Sequence, residues 1–233
     1  MSLRVEGLTA GYGAITVLRG VTFEIAKGSI IAVLGRNGMG KTTLVRALAG
    51  LIPATSGRIL LDEADVTHLP AHERAAAGFA TVVQGRGIFP RLTVRENLTM
   101  GRIASSRQKS NRLEEVLGYF PRLEERLNQS AGTMSGGEQQ MLAIGCGLMT
   151  DPTTMLLDEP SDGIMPTLVQ QIAVTLTKIN QERGMTILVV EQNIPMVMKM
   201  AAHFIVIEKG KLIAQHSRAE VGDGALLHNY LAI

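Results

Sequence analysis

A glycine-rich loop between an apolar segment and a helix-forming segment constrains the fold of this chain more than any other feature. Residues 35–42 read Gly-Arg-Asn-Gly-Met-Gly-Lys-Thr and follow an apolar run from Ser29 to Leu34. Continuous apolarity is typical of a parallel strand that is covered on both faces. A helix is predicted from Lys41 to Leu51, directly after the loop. These three segments predict an α/β fold with the loop at the carboxyl end of a buried strand.

The spacing of the loop matches G-x-x-x-x-G-K-[ST], in which successive backbone N–H groups turn inward around phosphate oxygens. The helix N-terminus adds a positive dipole. Lys41 is predicted to reach the β and γ phosphates of a nucleotide, and Thr42 to ligate Mg²⁺. A glycine turn without a ligand is the alternative, and the strand-loop-helix context disfavours it. The nucleotide-binding residues predicted here are Gly35, Arg36, Asn37, Gly38, Gly40, Lys41, Thr42 and Thr43.

A second apolar strand ends in two adjacent acidic residues. The strand is predicted from Thr154 to Leu157, and Asp158 and Glu159 follow it. This placement puts Asp158 at the carboxyl edge of the sheet, where it can hold the Mg²⁺ of a nucleotide, and leaves Glu159 to act on water. An acid pair after a strand is common in loops without any ligand. The phosphate-binding loop in the same chain favours the functional interpretation.

The composition is that of an ordinary globular chain and excludes several classes of protein. Apolar residues make up 45% and charged residues 19%, and the net charge is +2 without a basic block, which argues against a dedicated nucleic-acid binder. Cys146 is the single cysteine, so an internal disulfide and a zinc cluster are not expected, and a reducing cytoplasmic setting is favoured. No signal peptide and no apolar run of about 18 residues is apparent, so we expect no membrane span.

The order of the elements predicts an α/β chain with a helical insertion. Short strands are expected in the first sixty residues, and helical periodicity dominates from Thr93 to Leu148. The parallel pattern returns after Asp151-Pro152. We therefore expect a single domain, 1–233, in which residues 1–88 and 150–233 form the nucleotide-binding core and residues 89–149 form a helical subdomain.

A polar, glycine-rich turn at Ser135-Gly-Gly-Glu138 opens a helix, and alone it would be no more than an N-cap. Together with the phosphate-binding loop, the acid pair and the helical insertion, it resembles the signature of ATP-binding cassette (ABC) ATPases. The resemblance covers essentially all 233 residues. It implies an α/β P-loop NTPase (RecA-like) core with a mainly parallel sheet, an N-terminal antiparallel β subdomain and an inserted α-helical subdomain. It also implies ATP and Mg²⁺ as ligands.

The resemblance assigns further residues to the site. Tyr12 is similar to the aromatic residue that stacks on adenine, although a core or turn tyrosine is the alternative. Gln84 resembles the glutamine that contacts Mg²⁺ and the attacking water and links to the helical subdomain, with a solvated strand-end glutamine as the alternative. Cassettes of this family pair head to tail. Ser135, Gly136 and Gly137 of one chain would therefore meet the γ-phosphate held by the other.

One departure from the family pattern points to a branch. Gln192 stands where most cassettes have a histidine that senses the γ-phosphate, within Val190-Glu-Gln-Asn193. That glutamine, with the segments 84–94 and 138–145, resembles the second ATPase of importers for branched-chain amino acids and of related amide and urea importers. The alternative is a glutamine that caps the strand in solvent. Four residues depart from the pattern of the branch or family, namely Cys146, Thr154, Asp162 and Met165. Communication between the two paired sites could therefore differ from that in the family.

The resemblance implies an ATP-hydrolysing, energy-coupling subunit of an ABC importer, with branched-chain amino acids ahead of amides or urea. The implied partners are a second ATPase subunit, identical or a sister chain, integral membrane permease subunits and, indirectly, a solute-binding protein. The implied location is peripheral, at the cytoplasmic face of the inner membrane, with a chain that is soluble when isolated. The alternatives are a soluble cassette ATPase acting on nucleic acid or ribosomes, and a small-molecule kinase. The implied catalytic residues are Glu159, Gln84 and Gln192, and the metal ligands Thr42, Gln84 and Asp158.

Overall fold

The computed structural model describes residues 2–103 and 112–231, which form two sheets with helices around them. The predicted helical stretch from Thr93 to Leu148 includes residues 104–111, which lie outside the described part of the chain. The strands are β1 (Leu3–Tyr12), β2 (Ile15–Ile25), β3 (Ile30–Leu34), β4 (Ala54–Leu61), β5 (Ala64–Asp65), β6 (Phe79–Val82), β7 (Thr154–Asp158), β8 (Thr186–Glu191), β9 (His203–Glu208) and β10 (Lys211–Ser217).

A six-stranded sheet forms the centre of the molecule, in the order β10-β9-β3-β8-β7-β6. Strands β9, β3, β8, β7 and β6 run parallel, and β10 pairs antiparallel at one edge. Every residue of β3, β7 and β8 is buried, which explains why these strands read as continuous apolar runs. A four-stranded antiparallel sheet, in the order β2-β1-β4-β5, lies beside it.

The helices cover the central sheet and belong mostly to the segment between β6 and β7 and to the C-terminal part. They are α1 (Lys41–Leu48), α2 (Ala71–Ala77), α3 (Val94–Ile103), α4 (Leu113–Tyr119), α5 (Pro121–Glu124), α6 (Gly136–Leu148), α7 (Pro166–Arg183), α8 (Ile194–Met200), α9 (Arg218–Val221) and α10 (Ala225–Leu231), and a 3₁₀ turn lies at Ala131–Thr133.

The two faces of the central sheet belong to two separate cores. On one face, side chains from the helical segment, such as Leu98 and Phe120, pack with Ile144, Leu157 and Ile187 in one continuous cluster. On the other face, the antiparallel sheet and α1 pack on the same strands. Because side chains alternate along a strand, each buried strand contributes to both cores.

The structure confirms the α/β fold class, with a parallel central sheet, an antiparallel sheet at the N-terminal end and helices between β6 and β7. The helix after the loop ends at Leu48, earlier than predicted, because the chain turns at Gly50, whose φ is +72°. Helix α8 begins at Ile194 because the Asn193 side chain accepts from Met196 N–H and caps it. Within residues 2–103 and 112–231, the structure contains no helix of the length and apolarity that a bilayer crossing demands.

Candidate nucleotide-binding site

A cavity of about 340 Å³ lies where the loop after β3 meets the carboxyl ends of β6 and β7. The start of α1 forms one wall, and the antiparallel sheet contributes Val17 from β2. The sequence gives no reason to assign Val17 to the site, because only the packing of the two sheets places it here. The lining residues are Val17, Asn37, Gly38, Gly40, Lys41, Thr42, Thr43, Gln84 and Glu159.

The glycines of the loop have steric reasons for their positions. Gly40, directly before α1, has φ +106°, a conformation that side chains with a Cβ rarely adopt. A Cβ at Gly35 would collide with the backbone oxygen of Ile207 on β9. Gly35 and Arg36 do not line the cavity, and the Arg36 side chain lines a separate cavity of about 370 Å³ beside Tyr230.

Lys41 is the buried cation of the site, with a side chain that is 3% exposed. Its Nζ lies 3.1 Å from Arg36 O and 3.1 Å from Glu159 Oε1. The sequence placed Lys41 and Glu159 in separate motifs, 118 positions apart in the numbering, and the parallel sheet brings them together. This ammonium group can face an anionic ligand in the cavity.

Asp158 ends the buried strand β7, and its side chain accepts a hydrogen bond from Thr42 Oγ1 at 3.1 Å. Burial raises the pKa of Asp158, and the charge of Glu159 raises it further, whereas the Thr42 hydrogen bond and the cations of Arg46 and Lys41 oppose the shift. Thr42 lines the cavity and Asp158 does not, so the carboxylate oxygen lies behind a hydroxyl of the cavity wall.

Glu159 is the point at which the polar side chains of the site converge. Its Oε2 accepts from Gln84 Nε2 at 3.2 Å, and its Oε1 accepts from Gln192 Nε2 at 3.2 Å. Its backbone is in the left-handed region with φ +48°, which is uncommon for a residue other than glycine and often marks a functional position. The structure thus groups the three predicted catalytic side chains, Glu159, Gln84 and Gln192.

Gln192 also connects this group to the glycine-rich loop. Its Nε2 donates to Asn37 Oδ1 at 2.7 Å, besides its bond to Glu159. The side chain therefore bridges the loop after β3 and the loop after β7, and it is not a strand-end amide that points only to solvent.

Tyr12 lies at the end of β1, outside the residues that line the cavity, and is 41% exposed. Its hydroxyl oxygen accepts from Arg46 Nη1 at 3.3 Å. Sequence reasoning missed Arg46, which follows Lys41 on α1 by five positions and is not marked by the loop pattern.

The signature turn forms a tight N-cap for α6. Ser135 accepts from Glu138 N–H, and the Glu138 side chain accepts in return from Ser135 N–H at 3.0 Å. A Cβ at Gly137 would collide with Leu168 Cδ1 and crowd Leu168 Cβ, so that position favours glycine, whereas a Cβ at Gly136 would meet only the mobile end of Arg86 at under 3.0 Å. Ser135, Gly136 and Gly137 do not line the cavity of their own chain.

A P-loop core whose phosphate-binding loop and acid pair flank a helical insertion with a signature turn defines the class of ATP-binding cassettes. The family model for ABC transporters matches residues 18–162, which is more than half of the chain. The chain therefore belongs to the ABC transporter family, and it is an ATPase.

The curated relatives are similar over nearly their whole length. The high-affinity branched-chain amino acid transport ATP-binding protein BraG of Pseudomonas aeruginosa is 41% identical, with 93% of each chain covered. A probable branched-chain amino acid transport ATP-binding protein, LivF of Archaeoglobus fulgidus, is 35% identical over 90% of this chain and 89% of its own.

Solved cassettes have the same fold. The ADP conformation of an ATP-binding cassette from an ABC transporter superposes with a TM-score of 0.85 at 26% identity, and 100% of each chain is covered. A nucleotide-free cassette from an ABC transporter gives a TM-score of 0.84 at 26% identity, with 99% of each chain covered. These comparisons confirm the predicted fold and family.

Proposed function

We propose that this chain is the ATP-hydrolysing, energy-coupling subunit of an importer for branched-chain amino acids. The observation that carries the proposal is the 41% identity to BraG over 93% of both chains. LivF, the second relative described above, supports the same solute class. Amides and urea are the other candidate solutes, because Gln192 and the segments 84–94 and 138–145 also resemble the ATPases of importers for those solutes.

The donor set of the site fits Mg²⁺. Thr42 Oγ1 and Asp158 Oδ1 are hard oxygen ligands 3.1 Å apart, and Gln84 adds an amide oxygen at the cavity wall. Mg²⁺ in nucleotide sites is usually held by one or two protein oxygens together with water and substrate phosphates. Bound there with ATP, Mg²⁺ would neutralise charge on the β and γ phosphates.

The chain's own residues then supply positioning and proton transfer. Lys41 and the backbone N–H groups of the loop hold the β and γ phosphates. Glu159 accepts a proton from the attacking water while the oxygen of that water bonds to the γ-phosphorus. The bond between the γ-phosphorus and the bridging oxygen breaks, which releases ADP and phosphate. Gln84 and Gln192, which both donate to Glu159, orient its two oxygens.

We further propose that the chain works as one of a pair. Ser135 is exposed and Gly136 is half-buried at the N-terminus of α6, and none of Ser135, Gly136 and Gly137 lines the cavity of its own chain. In a head-to-tail pair they would complete the site of the other subunit, which is either a second copy or a sister ATPase.

The partner in the membrane is proposed to contact the helical subdomain, residues 89–149, close to Gln84. Phe89, Met100 and Ile103 are exposed apolar side chains in this region. The buried Asn97 fixes the loop below them, since its Oδ1 accepts from Phe89 N–H at 2.8 Å and its Nδ2 donates to Phe89 O at 3.0 Å. Such a surface suits integral membrane permease subunits, which would hold the chain at the cytoplasmic face of the inner membrane and receive solute from a solute-binding protein.

Reconstitution tests the proposal. The chain is co-purified with its permease subunits, placed in proteoliposomes, and assayed for ATP hydrolysis with its solute-binding protein and leucine, acetamide or urea. We expect leucine to stimulate hydrolysis and to be imported, and Glu159→Gln to abolish both. Stimulation by urea or acetamide alone would show that the solute is an amide or urea. Co-purification with ribosomes or nucleic acid in place of permeases would favour a soluble cassette ATPase that does not act in transport.

A further inference from the structure

Glu191, the last residue of β8, is a buried carboxylate held by backbone groups. Its side chain is 2% exposed, and along residues 2–103 and 112–231 no Lys, Arg or His forms an ion pair with it. Oε1 accepts from Ser161 N–H at 2.8 Å, and Oε2 accepts from Gln192 N–H at 2.8 Å and Asn193 N–H at 2.9 Å. The two oxygens thus divide their bonds between two separate stretches of chain.

Each of these stretches carries a side chain of the site. Ser161 lies two positions after Glu159, in the loop that leaves β7, and Glu159 N–H donates to Val190 O at 2.9 Å. Gln192, on the other stretch, donates from its side chain to both Glu159 and Asn37. One carboxylate therefore fixes the backbones that aim Glu159 and Gln192 at each other.

A carboxylate suits this task because both of its oxygens accept and neither donates. A buried charge without a cation is costly unless hydrogen bonds satisfy it, and three backbone donors do so here. An apolar residue at position 191 would leave the three N–H groups without this partner. The same charge therefore satisfies the backbone and sets the spacing between the loops.

We infer that Glu191 is a positioning residue for ATP hydrolysis, which acts through Gln192 and through the loop that carries Glu159. It does not line the cavity, so it is not expected to contact nucleotide. This inference rests on the roles of Glu159 and Gln192 proposed above. It adds a residue outside the cavity that couples the loop after β7 to the bridge between Gln192 and Asn37.

Glu191→Gln is the sharpest test, because it keeps the size of the side chain and removes one acceptor. The glutamine NH₂ group cannot accept a hydrogen bond, and it would replace one of the two carboxylate oxygens. Either the bond from Ser161 N–H or the bonds from Gln192 N–H and Asn193 N–H must therefore be lost. In the full transporter complex we expect kcat to fall by about 10- to 100-fold, the order seen when support of a reacting geometry is lost. The Kd for ATP is expected to stay within about twofold, since the loop ligands remain. Glu208→Gln, which changes an exposed acid at the end of β9, is the matched control.

A double variant separates positioning from simple loss of structure. If Glu191 acts through Gln192, the chain with Glu191→Gln and Gln192→Ala loses less kcat than the product of the two single losses. Losses that multiply fully, an unchanged kcat in Glu191→Gln, or a lower Tm with unchanged kcat per folded molecule would each overturn the inference. A wild-type kcat in Gln192→Ala alone would instead overturn the proposed role of Gln192. Because Glu191 is unchanged in that variant, the two failures can be told apart.

Discussion

Lys41 Nζ lies 3.1 Å from Glu159 Oε1, so the cation of the phosphate-binding loop and the proposed general base form one ion pair at the cavity wall. Their side chains are 3% and 14% exposed. In such surroundings a charge interacts more strongly than in bulk water. A phosphate in the cavity would share Lys41 with Glu159, which links nucleotide binding to the orientation of the base.

Replacement of Lys41 by alanine removes this shared cation. We expect Lys41→Ala to lower ATP affinity or turnover by about 100-fold or more, since the ammonium is the main side-chain charge facing the phosphates. Equilibrium binding of a fluorescent ATP analogue and steady-state phosphate release measure the two effects. Lys199→Ala, at an exposed lysine of α8, is the control. Unchanged binding and hydrolysis would contradict the assignment of the loop.

Glu159→Gln keeps the shape of the side chain and loses the proton acceptor. We expect kcat to fall by about 10²- to 10⁴-fold while MgATP still binds, because the phosphate-binding loop is untouched. Single-turnover hydrolysis beside nucleotide binding checks this, with Glu24→Gln at an exposed position of β2 as the control. Wild-type turnover would refute the role of Glu159 as general base. An ATP-dependent dimer of this variant is expected if the chain pairs with itself.

Gln192 should affect turnover more than binding. Its amide donates to Glu159 and Asn37, so Gln192→Ala is expected to lower kcat by about 10- to 100-fold, the order of one hydrogen bond to a charged group. Gln192→His should retain activity, because an imidazole N–H can donate in the same direction. Steady-state hydrolysis and Kd for ATP decide this, with Gln215→Ala on β10 as the control. An unchanged kcat in the alanine variant would show that Gln192 does not act in hydrolysis.

The predictable parts of the site are those in which one short segment contains both the reactive residues and the strand or helix that positions them. The loop at 35–42 lies between a buried strand and a helix, and Asp158 ends another buried strand, so each could be positioned from local sequence. The family resemblance was required for Tyr12, Gln84 and Gln192, because a single polar residue at a strand end has no distinctive pattern.

The interactions that could not be predicted depend on strand order. Glu191 holds Ser161 only because β7 and β8 are neighbours, with Asp158 opposite Val190. Neighbouring strands are separated by long stretches of chain, and periodicity does not reveal which strands pair. Strand β10 was also missed, although Lys209-Gly210, both at positive φ, is a recognisable hairpin turn.

The ionised side chain of Asp158 should make the folded chain less stable at neutral pH than a neutral side chain of the same size would. Burial raises its pKa above the usual 3.8, so the folded state favours the protonated form more than the unfolded state does. The ionised carboxylate therefore costs stability at pH values above the folded pKa, and the cost disappears as pH falls below 3.8, where both states are protonated. Asn keeps an oxygen that can accept from Thr42. We expect Asp158→Asn to raise Tm by about 2–4 °C at pH 7 without nucleotide, a gain that shrinks in acid, and to lose Mg²⁺-dependent hydrolysis.

Thermal unfolding from pH 3.5 to pH 8 measures the effect of Asp158→Asn. Asp223→Asn, at an exposed acid before α10, should show no such gain. A lower Tm at pH 7 in Asp158→Asn, or a gain that grows in acid, would contradict the direction of the pKa shift.

Thr154 provides a test of stability far from the nucleotide. It lies at the amino end of β7, fully buried, and its Oγ1 has no hydrogen-bond partner among the described residues. A buried hydroxyl without a partner costs about 1–3 kcal/mol, and valine has nearly the same shape without that group. We expect Thr154→Val to raise Tm by about 2–4 °C for each 1 kcal/mol recovered, with kcat unchanged.

The neighbouring strand offers a matched control for Thr154→Val. Thr186 pairs with Thr154 across β7 and β8 and is equally buried, but its Oγ1 accepts from Gly28 N–H at 3.0 Å. Thr186→Val would leave that N–H without its partner, so its Tm should fall. Calorimetry of both variants gives the comparison. If Thr154→Val lowers Tm as Thr186→Val does, then the Thr154 hydroxyl contributes to stability, and its burial does not destabilise the sheet.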